Sequence, residues 1–400
     1  IYINMLNTLW IILIFIISFL GINLSKKINY NNYKIKKLFK KINYENLYLA
    51  LGSKMGVGSL IGTTMSIFIG GPSSIIWIYI FTLLTSSIVY SESYLGSQYK
   101  SYKNSSYISG PYYYTKYGLK KNILATILLI TFLITYSIFF LMIQSNTITN
   151  TLGVNKKILL IIFIIFITLL ITNSDSQIRK ILNKIVPVIL IFFLTISLYT
   201  IIKNITLLPE VIKLIFNDLS NTKSILIGLV IGIKRSIFLN ELLIGTTSMA
   251  SGISSEDKKI VANTLVISSY FIVFVISTII TILILMYTIK VRQENITYLS
   301  LLKNTFAFHF KTLGNYFLNL IITLLASSSI ISGIYIGISN IKYLTENKLI
   351  NIASKLIITS FILLGIFLET TIIWKFIDTM MLMLISLNIY VVFKLKDKIE

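Results

Sequence analysis

The chain has 400 residues, of which 55% are hydrophobic and only 12% are charged, against roughly 25% charged in an ordinary soluble domain. This composition excludes a water-soluble globular fold and predicts that most of the chain lies in lipid. With no cysteine and one histidine, disulfides and thiolate chemistry are excluded and a zinc or iron centre is not expected, so we predict no cofactor and no redox or metalloenzyme. The sequence also shows no nucleophile with a nearby base, so we do not expect an enzyme of another kind.

Apolar blocks of about 20 residues recur along the chain, which is the length that a helix needs to cross the hydrocarbon core. They are continuous rather than alternating, which favours helices over a β-barrel. The sequence therefore predicts an all-α polytopic membrane protein in one transmembrane domain, residues 1–400. The eleven predicted spans are Leu6–Leu24, Asn46–Ile69, Ser73–Ser97, Asn122–Leu152, Lys157–Thr172, Leu182–Ile202, Ser224–Ser251, Val261–Ile289, Gly314–Tyr343, Leu349–Leu368 and Ile372–Phe393.

The net charge of +22 would suggest nucleic acid in a soluble protein, but here its placement follows the links between spans. The link Ser25–Glu45 holds seven lysines and the link Gln98–Lys121 holds five, whereas Asn204–Lys223 holds two lysines against two acids. Lysine-rich links stay in the cytoplasm, so we expect an external N-terminus and a cytoplasmic C-terminus in a bacterial cell membrane. Mutational bias in an AT-rich genome is an alternative source of the lysine excess.

Two spans carry residues that a regular membrane helix avoids. The stretch SKMGVGSLIGTT holds Gly56 and Gly58, where backbone can unwind, although close helix packing is the alternative explanation. The block from Gly232 to Gly252 holds Lys234, Arg235, Asn240 and Glu241. Its three ionisable residues are costly at mid-membrane unless they are functional or paired, and the alternative to a function is a Glu241 ion pair that only holds helices together.

These interruptions fall in the first and sixth spans after the leading helix. Corresponding breaks in two halves are typical of an inverted-repeat transporter, whose ligands bind between half-helices. We therefore predict a leading helix and basic link over residues 1–45, a first five-helix repeat over 46–206 and a second over 207–400. Amide groups at Gly56 to Ser59 would hold a carboxylate, and freed carbonyls would hold a cation.

Several motifs resemble those of the alanine or glycine:cation symporter family, the bacterial sodium:alanine symporters. The resemblance covers most of the chain and implies a leucine-transporter-like 5+5 inverted repeat that imports a small neutral amino acid with Na⁺. The motifs are KMGVGSLIG, GGPSSIIWIY, SGPYYYTKYGL, QSNTIT, GIKRSIFLNELLIGT, LASSSIISG and WKFID with the later SLN.

The resemblance also implies a set of binding residues. Those expected at the amino acid are Gly56, Gly58, Ser59, Gln144, Phe238, Asn240 and Gly333. Those expected at sodium are Gly52, Met55, Ser328 and Ser329, which would offer the oxygen ligands that a hard cation prefers. Glu241 and Asp378 match further family positions, and so does Glu92, which could instead reach water at the cytoplasmic end of its span.

The chain departs from the family pattern near the inferred site. Ser59 replaces a usual asparagine, and Leu242 with Leu243 replace Ala-Gly. Gly333 stands where the family has tryptophan, which would leave room for a larger substrate unless another side chain fills the space. These departures keep two alternatives open, namely a non-transporting relic or amino-acid sensor of the same fold and a proton-coupled carrier of a different small amino acid.

Overall fold

A computed structural model describes residues 2–28, 41–103, 106–172, 175–291, 297–344 and 347–399. Nearly all of this part of the chain is helical, as predicted. Most of the basic link lies in residues 29–40, outside the described residues.

The first half of the chain supplies nine helices and a small hairpin in its described part. The helices are α1 Tyr2–Lys27, α2 Tyr44–Lys54, α3 Val57–Gly70, α4 Ser74–Gln98, α5 Pro111–Tyr113, α6 Asn122–Phe132, α7 Leu141–Leu152, α8 Lys156–Thr172 and α9 Asp175–Lys203. The hairpin pairs β1 Ser101–Lys103 with β2 Ser106–Ile108 in antiparallel register, Tyr102 opposite Tyr107. Wider π-helical turns follow α5 at Tyr114–Gly118 and join α6 to α7 at Leu133–Phe140.

Nine further helices make up the described second half. They are α10 Leu208–Asp218, α11 Thr222–Asn240, α12 Thr246–Ser251, α13 Lys258–Tyr270, α14 Thr278–Lys290, α15 Tyr298–Phe310, α16 Gly314–Leu344, α17 Lys348–Leu364 and α18 Thr370–Lys394. A π-helical segment, Phe271–Ser277, joins α13 to α14. Short 3-10 turns lie at Ile205–Leu207, Lys311–Leu313 and Lys396–Lys398.

Seven helical stretches in the described part of the chain are long and apolar enough to cross a membrane. Helices occupy all eleven predicted blocks, but four blocks fall outside these seven stretches for a physical reason. One block is broken into α2 and α3, of 11 and 14 residues, and another holds α11, whose 19 residues include three basic side chains. The other two hold the 17-residue helices α8 and α17. The finding supports a polytopic membrane protein, while the count of eleven crossings and the two-repeat division stay predictions.

The two broken helices lie against each other near the middle of the molecule. Helix α11 packs along α3, and α12 packs beside α2 and α4. Helix α16 crosses α2, α7 and α9, so that its serines reach the first break. The leading helix α1 packs on α4 and α18, where Gly21 allows close approach because an added Cβ would lie 2.6 Å from the Leu84 carbonyl oxygen.

Candidate functional site

The first break falls between Lys54 and Val57. Helix α2 ends with the Met55 amide donating to the Leu51 carbonyl at 2.7 Å, and α3 begins with Gly56 as its N-cap. The break is shorter than predicted, since Gly58 and Ser59 are already helical and the Ser59 amide donates to the Gly56 carbonyl at 3.1 Å. Of the predicted amide group from Gly56 to Ser59, only Gly56 therefore lies outside the helix.

Three predicted residues meet at this break. The Val57 amide donates to Gln144 Oε1 at 3.0 Å. An added Cβ on Gly56 would lie 2.2 Å from Ser329 Oγ and 2.9 Å from Gln144 Oε1, so Gly56 is where α7 and α16 come closest to the broken backbone. A glycine is required here because any side chain would displace both polar groups.

The hydroxyl of Ser329 lies within hydrogen-bond distance of two carbonyls at the end of α2. Its Oγ donates to the carbonyl of Gly52 at 3.0 Å and to that of Ser53 at 3.1 Å. Ser328, the other predicted serine, donates to Leu325 in its own helix at 2.8 Å. The structure therefore clusters Ser329 with Gly52 as predicted, adds Ser53, and gives Ser328 a different partner.

Aromatic side chains line the break on the α3 side. The ring of Phe238 lies where a Cβ on Gly58 would be, 2.5 Å from its Cε1. Phe238 also contacts the rings of Phe140 and Trp374, with centroids 4.9 and 5.0 Å away. The predicted residues Gly58 and Phe238 are thus in direct contact, and the rings of Phe238, Phe140 and Trp374 form an aromatic wall on this side of the break.

The second break spans residues 241–245 between α11 and α12. Glu241 and Leu243 have positive φ angles of 49° and 59°, and Gly245 has 109°. Left-handed backbone is unfavourable for side chains that carry a Cβ, so tertiary contacts hold this segment. The prediction of an interruption in this block agrees with the structure even though Leu242 and Leu243 replace smaller residues.

Glu241 connects the two breaks. Its Oε2 accepts from Ser53 Oγ at 3.0 Å and from Thr246 Oγ1 at 2.6 Å, and Tyr136 is a further hydrogen-bond partner. The side chain is 2% exposed. A buried carboxylate that accepts from hydroxyls of both broken helices joins the two segments at the centre of the protein.

Three predicted residues have other surroundings. Asn240 donates to Thr82 Oγ1 at 2.9 Å and thus faces α4. At Gly333 the space is filled, because an added Cβ would lie 2.3 Å from Leu141 Cδ2. Asp378 forms an ion pair with Lys234 at 2.6 Å, away from the first break.

Glu92 does not reach water, because its side chain is fully buried and accepts from the Leu243 amide in the second break.

Lys54 is also buried, at 3% exposure, and donates to Ser268 and Ser269 on α13 at 3.2 and 2.8 Å. Sequence reasoning assigned Lys54 no role and did not find Ser53. A lysine inside an apolar block is a usable signal, whereas nothing in the sequence distinguishes Ser53 from other membrane serines.

The whole group of predicted binding residues is buried. Ser59 is fully covered, and Gln144, Phe238 and Ser329 are exposed by 4% or less. Ser59 uses its hydroxyl to bond the Gly56 carbonyl at 2.9 Å, which stabilises the start of α3. The arrangement offers carbonyl, hydroxyl and amide oxygens, which suit a small polar ligand and a hard cation.

The chain is similar in sequence to several bacterial transporters. The Probable sodium/glutamine symporter GlnT of Bacillus subtilis (strain 168) is 22% identical over 361 residues, covering 88% of this chain and 76% of that protein. The Amino-acid carrier protein AlsT of the same organism is 24% identical over 357 residues, covering 86% and 76%. An uncharacterized transporter of Haemophilus influenzae is 24% identical over 362 residues, covering 86% and 75%.

The family-level match extends over almost the entire chain. Residues 4–400 match the sodium:alanine symporter family, whose members are transporters and not enzymes. With seven apolar stretches of membrane-crossing length in its described part, the protein is a bacterial membrane protein. The chain therefore belongs to the sodium:alanine symporter family.

Proposed function

We propose that this protein imports a small neutral amino acid, alanine or glycine, together with Na⁺ by alternating access. The observation that carries the proposal is the meeting of Gln144 and Ser329 at Gly56, where the first broken helix has irregular backbone. Irregular backbone at membrane depth is tolerated where it lines a site.

The amino acid would bind between Gly56 and the aromatic wall formed with Phe238. Gln144 Oε1 now accepts from the Val57 amide at 3.0 Å, and both groups would turn to the ligand when it binds. The amide would hold the carboxylate and the glutamine oxygen would accept from the ammonium group.

Sodium would bind beside the end of α2. The hydroxyl oxygen of Ser329 already lies 3.0 Å from the Gly52 carbonyl oxygen and 3.1 Å from the Ser53 carbonyl oxygen. On binding Na⁺, the Ser329 hydroxyl would rotate its proton away from the two carbonyls, so that its oxygen and theirs face the ion. These oxygens are the ligand type that hard cations take. Met55 and Ser328 would complete the shell through small movements.

The packing at Gly333 favours a small substrate. Leu141 Cδ2 occupies the space that a side chain at this position would fill, so the absent tryptophan leaves no added room. One relative is named for glutamine and the family for alanine, so substrate size is the feature to test.

The eleven crossings, the two repeats and the orientation with an external N-terminus and a cytoplasmic C-terminus belong to the same proposal. Helices in all eleven apolar blocks and the contact of one broken helix with the other support the crossings and the repeats. The orientation is supported by the lysine-rich links alone.

Uptake into proteoliposomes tests the proposal. Radiolabelled alanine, glycine and glutamine are supplied with an inward Na⁺ gradient, with choline in its place, and with an inward proton gradient alone. We expect Na⁺-dependent accumulation of alanine or glycine above glutamine. Equal uptake with choline would refute sodium coupling, and accumulation with protons alone would establish the proton-coupled alternative.

Calorimetry on the purified protein separates a carrier from a sensor or relic. We expect heat on addition of alanine with Na⁺ and less without it. Binding without uptake would indicate a sensor, and no binding of any small amino acid would indicate a relic.

A further inference from the structure

Leu243 lies at the middle of the second break. Its φ of 59° is left-handed, which is unfavourable for a residue with a Cβ, and the segment around it lies between the two helices. Such a conformation persists only where neighbouring groups hold it.

Both polar groups of this residue are bonded by side chains from two other helices. The Leu243 amide donates to Glu92 Oε2 on α4 at 3.2 Å. The Leu243 carbonyl accepts from Asn388 Nδ2 on α18 at 3.0 Å. The same Asn388 nitrogen lies 3.2 Å from Glu92 Oε1, so the two side chains also bind each other.

Tyr114 fixes the orientation of this asparagine. Its hydroxyl donates to Asn388 Oδ1 at 2.6 Å, which leaves the Asn388 nitrogen directed at Leu243 and Glu92. All three side chains are fully buried. We call Glu92, Tyr114 and Asn388 the Leu243 clamp.

We infer that the Leu243 clamp holds the second break in its irregular form and thereby positions Glu241 against the first break. The three side chains belong to α4, to the π-helical turn Tyr114–Gly118 and to α18, so they anchor the break to three separate segments. They are positioning residues, because they act through the backbone of the break and not on the amino acid. The consequence for transport rests on the proposed function.

Amide hydrogen exchange on the purified full-length protein tests the clamp without requiring transport. In Asn388→Ala we expect exchange in peptides covering 241–247 to rise by about 10- to 100-fold, the effect of losing buried hydrogen bonds. Peptides covering the first break, 52–58, should change less. Tyr114→Phe removes one bond and keeps the ring, so a smaller rise at the same peptides is expected from a variant that folds.

Two comparisons separate positioning from general stability. Asn146→Ala is the matched control, because Asn146 is a buried asparagine that donates to the Gly365 and Leu368 carbonyls at 2.9 and 2.8 Å, away from this break. It should lower the melting temperature without raising exchange at 241–247. Glu92→Gln retains an acceptor oxygen for the Leu243 amide, so it should restore much of the protection that Glu92→Leu loses.

Unchanged exchange at 241–247 in both Asn388→Ala and Tyr114→Phe would overturn the clamp, and so would a uniform rise over the whole chain.

In proteoliposomes the same variants should lower the maximal uptake rate by about 10-fold, because the site residues would no longer be held in the geometry that transport requires. If the wild type shows no uptake while the exchange results hold, the proposed function fails and the clamp stands.

Discussion

Three neighbouring glycines of the first broken helix, at positions 56, 58 and 62, meet different surroundings, and these decide what each position tolerates. Gly56 lies against Ser329 and Gln144, and Gly58 lies against the ring of Phe238. At Gly62, on the same helix α3, the nearest atom to an added Cβ is 3.6 Å away, an ordinary contact. The pattern of glycines alone could not separate these cases, because the difference lies in side chains from other helices.

Gly56→Ala should therefore reduce Na⁺-dependent uptake by at least about 10-fold, because its Cβ displaces two groups of the proposed site. Gly62→Ala is the control, and its stability should be equal or higher by about 0.5–1 kcal/mol, since alanine favours a helix over glycine. Uptake and melting temperature at matched expression measure both effects. Similar losses in the two variants would contradict a specific role for Gly56.

Ser328 and Ser329 of α16 should also differ in how strongly their replacement by alanine changes Na⁺-dependent uptake. Ser329→Ala removes the hydroxyl that lies on the Gly52 and Ser53 carbonyls, so the Na⁺ concentration for half-maximal uptake should rise by about 10-fold or more. Ser328→Ala should have a smaller effect, because Ser328 bonds its own helix at Leu325. A larger shift in Ser328→Ala would assign the ion to the other serine.

At the scale of helices, the basic residues of the second broken helix bind its neighbours. Lys234 pairs with Asp378 at 2.6 Å and lies over the ring of Trp10 in α1, 5.2 Å from its centroid. Arg235 lies over Trp374 in α18 at 5.0 Å. The ion pair of this block is therefore formed by Lys234 and not by Glu241, the residue for which the sequence offered it as an alternative; Glu241 accepts from hydroxyls at both breaks.

Asp378→Asn should destabilise the protein by about 1–3 kcal/mol, because it leaves the charge of Lys234 unpaired in a mostly buried place. The loss should be smaller than for a fully buried pair, since the two side chains are 14% and 17% exposed. Adding Lys234→Met should recover more than half of the loss, which thermal unfolding in detergent measures as a double-mutant cycle. Additive losses would show that the pair is not coupled.

At the scale of the whole molecule, the proposed site joins both halves of the chain. Residues of α2, α3 and α7 meet residues of α11 and α16 around Gly56. A ligand bound there contacts segments that are distant in sequence, so binding should stabilise the fold as a unit.

Alanine with Na⁺ should therefore raise the melting temperature of the purified protein, with about 2.7 kcal/mol of stabilisation at a concentration 100 times the dissociation constant. Choline in place of Na⁺ should remove most of the shift, and Ser329→Ala should remove it at the same Na⁺ concentration. Differential scanning fluorimetry measures these shifts. A shift that persists in choline would show binding independent of sodium.

The amino-acid sequence by itself determined the helical membrane class, the position of the apolar blocks and the existence of both breaks. These properties depend on local chemistry, since runs of apolar residues must be helical in lipid and glycines or ionisable groups within them mark exceptions. The family resemblance also identified Gly56, Gln144 and Ser329, which the structure brings together.

Only the tertiary structure decided which polar groups serve the site and which serve packing. It turned Asn240 toward Thr82, placed Leu141 in the space at Gly333, and buried Glu92 against Leu243. The end of the first break at Val57 likewise depends on an acceptor from Gln144, 87 residues away. These outcomes follow from contacts between distant helices, and a local pattern carries no information about which partner a buried hydrogen-bonding group will meet.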